Sequence, residues 1–235
     1  MVITDKFIFL HLHKSGGTFV NDFIGKFFPS AQKVGYHLPG SCIPEPYRHL
    51  PVLGIVRSPW SYYVSWYTFQ AGMASPNIIF RAVSDNGMLG FNETIRNLLE
   101  LSNDRERLQR IVAHLPDSFT NAGINLTKQC MVEFEGSGTG FYSFLYNRMF
   151  SGVTDMHIGK TESIRPDLLA FLREAGVELT PDMVNHINAS PRLNATRHKS
   201  SAEMYERETA DLVADRDRTL IAKHDYSFQV SKPLV

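Results

Sequence analysis

The chain has 235 residues, 43% of them apolar and 20% charged, which is the composition of a folded protein with a core of its own. Lys and Arg number 24, as do Asp and Glu, and this balance excludes a general nucleic-acid binder, which carries a basic excess. A local basic pocket remains compatible with it. Two cysteines, Cys42 and Cys130, fit no metal-ligand spacing and predict a reducing compartment. The early apolar run Phe7-Ile8-Phe9-Leu10 is too short for a signal-peptide core, and no stretch has bilayer length. The expectation is a cytoplasmic protein without a membrane span.

In chain order, Phe7 to Leu12 reads as a buried strand. The loop His13-Lys14-Ser15-Gly16-Gly17-Thr18 follows, and then a helix with Phe19, Val20, Phe23, Ile24, Phe27 and Phe28 on one face, Thr18 as its N-cap and Pro29 as its stop. Lys33 to His37 predicts a short strand. Val52 to Val56 predicts a fully buried one, with Arg57 at its C-terminal end. Ser58-Pro59 is an N-cap with proline at the first helical position, opening a helix through Trp60 to about Phe69. Residues 72–125 are helical in pattern, with apolar faces at Ile95, Leu98, Leu99 and at Leu108, Ile111, Val112, Leu115. Lys128 to Phe134 predicts a strand, and an aromatic-rich segment starts at Phe141. His157 to Gly159 predicts another strand, Arg165 to Ala175 a helix closed by Gly176, and Ala202 to Lys223 one long final helix. Alternating strands and helices with no linker or repeat predict one α/β domain over residues 1–235, built on a mainly parallel sheet.

Two places carry chemistry. In Lys14-Ser15-Gly16-Gly17-Thr18 the glycines admit close approach to the backbone, and amides at a helix N-terminus attract a phosphate-type anion. Lys14 adds a charge, and Ser15 and Thr18 add hydroxyls. The plain alternative is a strand–helix turn that happens to hold glycines. Arg57 stands where open α/β sheets bind ligands, and Ser58, Ser61 and Ser65 share one side of the following helix. Neither is a Walker loop. Lys14 precedes its glycines, and Gly159-Lys160-Thr161 would need a glycine where Thr154 stands. Two anion sites on neighbouring units predict a ligand with two anionic ends.

These segments resemble a known family. His11-Leu12-His13-Lys14-Ser15-Gly16-Gly17-Thr18 is similar to the His-x-Pro-Lys-Thr-Gly-Gly-Thr loop of sulfotransferases that use 3′-phosphoadenosine-5′-phosphosulfate (PAPS), in particular the carbohydrate and heparan-type group. Val56-Arg57-Ser58-Pro59 through Val64-Ser65-Trp66-Tyr67 resembles the family's Val-Arg-Asp-Pro…Ser-Trp-Tyr segment. Residues 157–164, Asn188 to Ser190, Arg197 to Ser200 and the closing Asp225-Tyr226-Ser227-Phe228 resemble its later part less closely. His13 departs from the family's proline, Ser58 from its aspartate, and Tyr62 stands where a basic residue is common. The resemblance implies a P-loop-like sulfotransferase fold and transfer of a sulfuryl group from PAPS to a hydroxyl or amine, leaving 3′,5′-diphosphoadenosine, with no metal required. It implies that Lys14, Ser15, Gly16, Gly17, Thr18 and Phe19 hold the 5′-phosphosulfate, and that Arg57, Ser65, Arg197 and Lys199 hold the 3′-phosphate. Residues 72–150 match nothing in the family and are expected to shape the site of a small-molecule or carbohydrate acceptor.

The reaction needs charge stabilisation at the leaving oxygen, for which Lys14 and the loop amides serve, and a base for the acceptor's proton. Three histidines compete. His37 ranks first, because relatives acting on polysaccharides carry a catalytic histidine in a comparable segment. His13 lies in the loop and could shape it instead. His11 belongs to the strand and fits a hydrogen-bonded core histidine. Glu45 is a weaker candidate. The competing functions are a nucleotide-dependent, kinase-like phosphotransferase and an inactive PAPS-binding module.

Overall fold

The computed structural model describes residues 1–120, 123–191 and 200–228. In chain order these form β1 (Val2–Ile3), β2 (Ile8–Leu10), α1 (Gly17–Phe27), β3 (Gln32–Lys33), β4 (Val52–Val56), α2 (Pro59–Ala71), α3 (Ile78–Val83), α4 (Phe91–Leu99), α5 (Arg105–Val112), α6 (Lys128–Phe134), α7 (Phe141–Phe150), β5 (Met156–Lys160), α8 (Ile164–Glu174), α9 (Pro181–Ala189), α10 (Ser201–Met204), α11 (Arg207–Arg216) and α12 (Arg218–Lys223). The architecture is α/β, a five-stranded sheet flanked by helices, in the order β3-β1-β2-β4-β5.

The sheet is mixed rather than mainly parallel. β2, β4 and β5 run parallel, whereas β1 is antiparallel to both β2 and β3. The Thr4–Phe7 connection explains this. It is too short for the crossover that parallel neighbours need. Thr4 closes the turn with its own side chain, where Oγ1 accepts from Phe7 N at 2.8 Å and donates to Phe7 O at 2.8 Å.

Two compact units divide the chain. The first, residues 1–57, 120–125 and 146–195, contains the whole sheet. Its core joins Phe7 and Phe9 of β2 and its approach, Leu53 and Ile55 of β4, Phe19, Val20 and Phe23 of α1, Leu168, Phe171 and Leu172 of α8, and Ile187 of α9. The Phe7 ring meets Phe28 and Phe171 edge-on, each at 5.3 Å between centroids. Such contacts add about 0.5–1.5 kcal/mol each beyond the area they bury.

The second unit, residues 58–119, 126–145 and 196–235, is helical where described. On α2, Tyr62, Tyr63 and Trp66 are fully buried, whereas Phe69 is exposed. Tyr62 stacks on Tyr142 of α7 at 3.8 Å. At its centre is Asp217, between α11 and α12, which accepts hydrogen bonds from Tyr63 Oη at 2.7 Å, Ser143 Oγ at 2.6 Å and Ser143 N at 2.9 Å.

The apolar runs place β2, β4 and β5 as expected, α1 follows its periodic face, and α2 and α8 lie where helices were expected. Four details differ. Lys128–Phe134 is helix α6 and not a strand, because Thr127 Oγ1 accepts from Cys130 N and starts a helix that buries Cys130, Met131 and Phe134. The long final helix breaks at Tyr205, whose backbone is extended and whose hydroxyl donates to Trp60 O at 3.0 Å, and again at Asp217. The strand expected at 33–37 ends at Lys33. α1 is capped by Gly16 in a left-handed conformation, without a side-chain cap from Thr18.

Candidate functional site

β2 and β4 are parallel neighbours, with Leu10 opposite Gly54, so the segments that follow them emerge at one sheet edge. The segment after β2 is tightly wound. Lys14 and Gly16 both have left-handed backbones, φ 57° and 78°, on either side of Ser15. Turns of this kind can present backbone amides to an anion, while Ser15 N donates to Leu12 O at 3.4 Å. A lysine held there carries a strain of about 1–2 kcal/mol. Ser15 is buried, and its Oγ donates to His13 O at 3.3 Å. Gly16 has a second reason to be glycine, since a Cβ would stand 3.0 Å from Ile164 Cδ1.

Arg57, directly after β4, reaches this loop, and its Nη1 donates to Lys14 O at 3.4 Å. The Lys14 amine is pushed down to about 8, first by burial and then by the Arg57 charge. Two cations brought together in this way repel, and a bound dianion would relieve both. Arg57 and the Lys14 loop are thus brought together within the first unit.

The other expected ligand residues stand differently. Thr18 is exposed on the first turn of α1. Phe19 turns its ring into the core, with the Arg165 guanidinium 5.5 Å over it, and its N–H bonds Gly16 O at 3.1 Å. Ser65 lies buried on α2, in the second unit. Arg197 and Lys199 fall outside the described residues.

The histidines cluster. His37 sits in a turn beyond β3 with φ 46°, not at a strand end. Its Nδ1–H donates to His11 O at 2.7 Å, so Nε2 holds the lone pair. Burial lowers its pKa from 6.5, against the pull of that hydrogen bond, and the Met1 amine and Arg148 act in the same direction as burial. The imidazole is neutral at pH 7. His13 stands 5.3 Å from His37, ring to ring, and burial holds it well below 6.5. Glu45 is exposed and paired with Arg48 at 2.9 Å, away from any role as a buried base.

Sequence reasoning missed the supports of this cluster. Asn125 Nδ2 donates to Tyr36 O at 2.8 Å, and Arg148 Nη2 donates to Asn125 O at 2.5 Å, so both brace the turn that carries His37. Thr161 Oγ1 donates to Val56 O at 3.1 Å, just before Arg57. Asn21, four residues after Gly17 on α1, bonds His11. Only Asn21 had a local signal, a polar residue on the helix face that carries Gly17.

Among the described residues there is no cluster of His, Cys, Asp and Glu that could hold a metal ion, and no helix long and apolar enough to cross a membrane. No family model matches the chain, and no curated protein matches its sequence.

Proposed function

We propose that this protein is a PAPS-dependent sulfotransferase acting on a hydroxyl or amine acceptor. One observation carries the reading: Arg57 and Lys14, from consecutive crossovers of neighbouring parallel strands, are joined by a hydrogen bond, and the Arg57 charge helps to lower the pKa of the Lys14 amine. Such a pair fits a ligand with two phosphate-type ends, and the strained Lys14–Gly16 turn supplies amides for one of them. The likeness of residues 11–18 and 56–67 to the family's two anion-binding segments adds the identity of that ligand.

In sulfuryl transfer the acceptor oxygen or nitrogen bonds to sulfur while the bond from sulfur to the phosphate oxygen breaks, and the electron pair leaves on the phosphate. Lys14 and the loop amides would stabilise that charge, and Arg57 would hold the 3′-phosphate. The neutral His37, with Nδ1–H anchored on His11 O, has Nε2 to take the acceptor's proton. His13 would then shape the loop, because burial and the neighbouring Lys14 and His37 oppose its protonation.

Calorimetric titration with 3′,5′-diphosphoadenosine, without magnesium, tests the site. Lys14→Ala and Arg57→Ala should each weaken binding by about 10- to 100-fold, the worth of a charge-assisted hydrogen bond. Unchanged affinity in both variants would overturn the reading. His37→Ala should leave that affinity intact while slowing transfer to a panel of hydroxyl and amine acceptors by about 10²–10⁴-fold.

A further inference from the structure

The loop contains a second arrangement that an anion cradle alone does not require. A Cβ placed on Gly17 would stand 2.0 Å from His11 Cδ2 and 2.2 Å from its Nε2. The imidazole of His11 therefore occupies the space in which residue 17 would carry a side chain. Phe9 stacks with that ring at 5.7 Å and 22°. Asn21 Nδ2 donates to His11 Nδ1 at 3.1 Å. An amide NH₂ only donates, so Nδ1 holds the lone pair and Nε2 the proton. The carbonyl of the same residue accepts the Nδ1–H of His37, and the two rings lie 4.6 Å apart.

We propose that His11 and Asn21 are positioning residues for His37: the wedged imidazole fixes the residue 11 peptide, and that carbonyl holds His37 in its Nδ1–H tautomer with Nε2 left to accept a proton. The catalytic half of this inference rests on His37 being the base proposed above. The structural half does not. It also reassigns Gly17, which is glycine to admit an imidazole rather than to admit a ligand. The surroundings keep His11 uncharged, which the wedge requires. Burial pushes it down to about 3, and His37, the Met1 amine and Lys33 act the same way.

Nitrogen-15 NMR of the imidazole rings, without any ligand, reads this directly. In the parent protein, His37 should be the Nδ1–H tautomer and His11 the Nε2–H tautomer. Asn21→Ala, with folding checked by circular dichroism, should cost His37 its single-tautomer signature. Gly17→Ala should lower Tm by forcing the ring out, and His11→Ala combined with Gly17→Ala should recover that Tm without recovering the tautomer. A purely structural wedge would not move the His37 signal, so an unchanged tautomer in folded Asn21→Ala and in the double variant overturns the proposal. A double variant as unstable as Gly17→Ala alone overturns it too. If Gly17→Ala does not fold, the double variant and Asn21→Ala still decide. Binding of 3′,5′-diphosphoadenosine to Lys14→Ala reports separately on the proposed ligand site, so the two ideas can fail independently.

Discussion

Both units bury ionisable groups, but they treat charge in opposite ways. In the first, histidines and a lysine are gathered at the end of the sheet, and burial together with like-charged neighbours drives each toward its neutral form. In the second, the carboxylate of Asp217 is wholly buried and receives three hydrogen bonds from neutral donors. Burial pushes its pKa up to about 6, and those donors restrain the rise. The second arrangement closes on itself, as a structural network does. In the function proposed above, the first is completed by an anion from outside. Perturbed cations at a sheet edge thus point to function, whereas an equally perturbed carboxylate with a full set of partners points to packing.

The largest test of that contrast is Asp217→Ala. It leaves Tyr63 Oη, Ser143 Oγ and Ser143 N without their acceptor, at about 1–3 kcal/mol each. Above pH 6 part of this loss is offset, because a carboxylate that resists ionisation is removed as well. The variant should therefore be less stable by about 3 kcal/mol or more at pH 5, and by visibly less at pH 8, in urea unfolding. Equal losses at both pH values would mean that Asp217 is not held near pH 6.

Acid should act on the two units with opposite sign. The folded pKa values of His11 and His13 are depressed below 6.5, so their contribution is present above that pH and is lost as pH falls. Asp217 is raised from 3.8 to about 6, so its contribution is full below about 4 and fades as pH rises through 6. Below about pH 6.5, His13→Asn should flatten the acid loss of stability, and between about pH 6 and 4 Asp217→Asn should steepen it by roughly 1.4 kcal/mol per pH unit. Two variants moving the slope in the same direction would refute the contrast. Lys14 gives the matching ligand test. Because its amine sits at about 8, affinity for 3′,5′-diphosphoadenosine should fall above that pH, by at most about tenfold per unit. Lys14→Arg, charged throughout, should remove that dependence.

The same contrast decides what could be read from the residues alone. β2, β4, Lys14 and Arg57 were legible because an apolar run ending in a cation or a glycine loop is a local pattern. Asp217 was legible in principle: Ala210, Val213, Asp217 and Leu220 fall on one helical face, which puts an acid where only apolar groups are expected. Read as one continuous amphipathic helix, the segment hides both that acid and the breaks at Tyr205 and Asp217. The direction of β1 follows from the length of its turn. The place of His37 is non-local, for it bonds His11 O, and Asn125 and Arg148, far along the chain, brace the turn that carries it, and no spacing encodes these contacts.

The smallest effect serves as the control for these pH experiments. Residues 128–134 read as a strand because a short apolar run fits either period, and Thr127 is the residue that decides for the helix. Its Oγ1 accepts from Cys130 N at 3.3 Å and its hydroxyl meets Cys130 Sγ at 3.1 Å. Thr127→Ala should lower stability by about 1 kcal/mol, the usual worth of an N-cap. The cap carries no charge in either state, so the loss should be the same at pH 5 and pH 8 and should leave ligand affinity untouched. A loss that varied with pH would show that acid acts through general loosening of the second unit, and the opposite slopes assigned to the buried histidines and Asp217 would lose their physical basis.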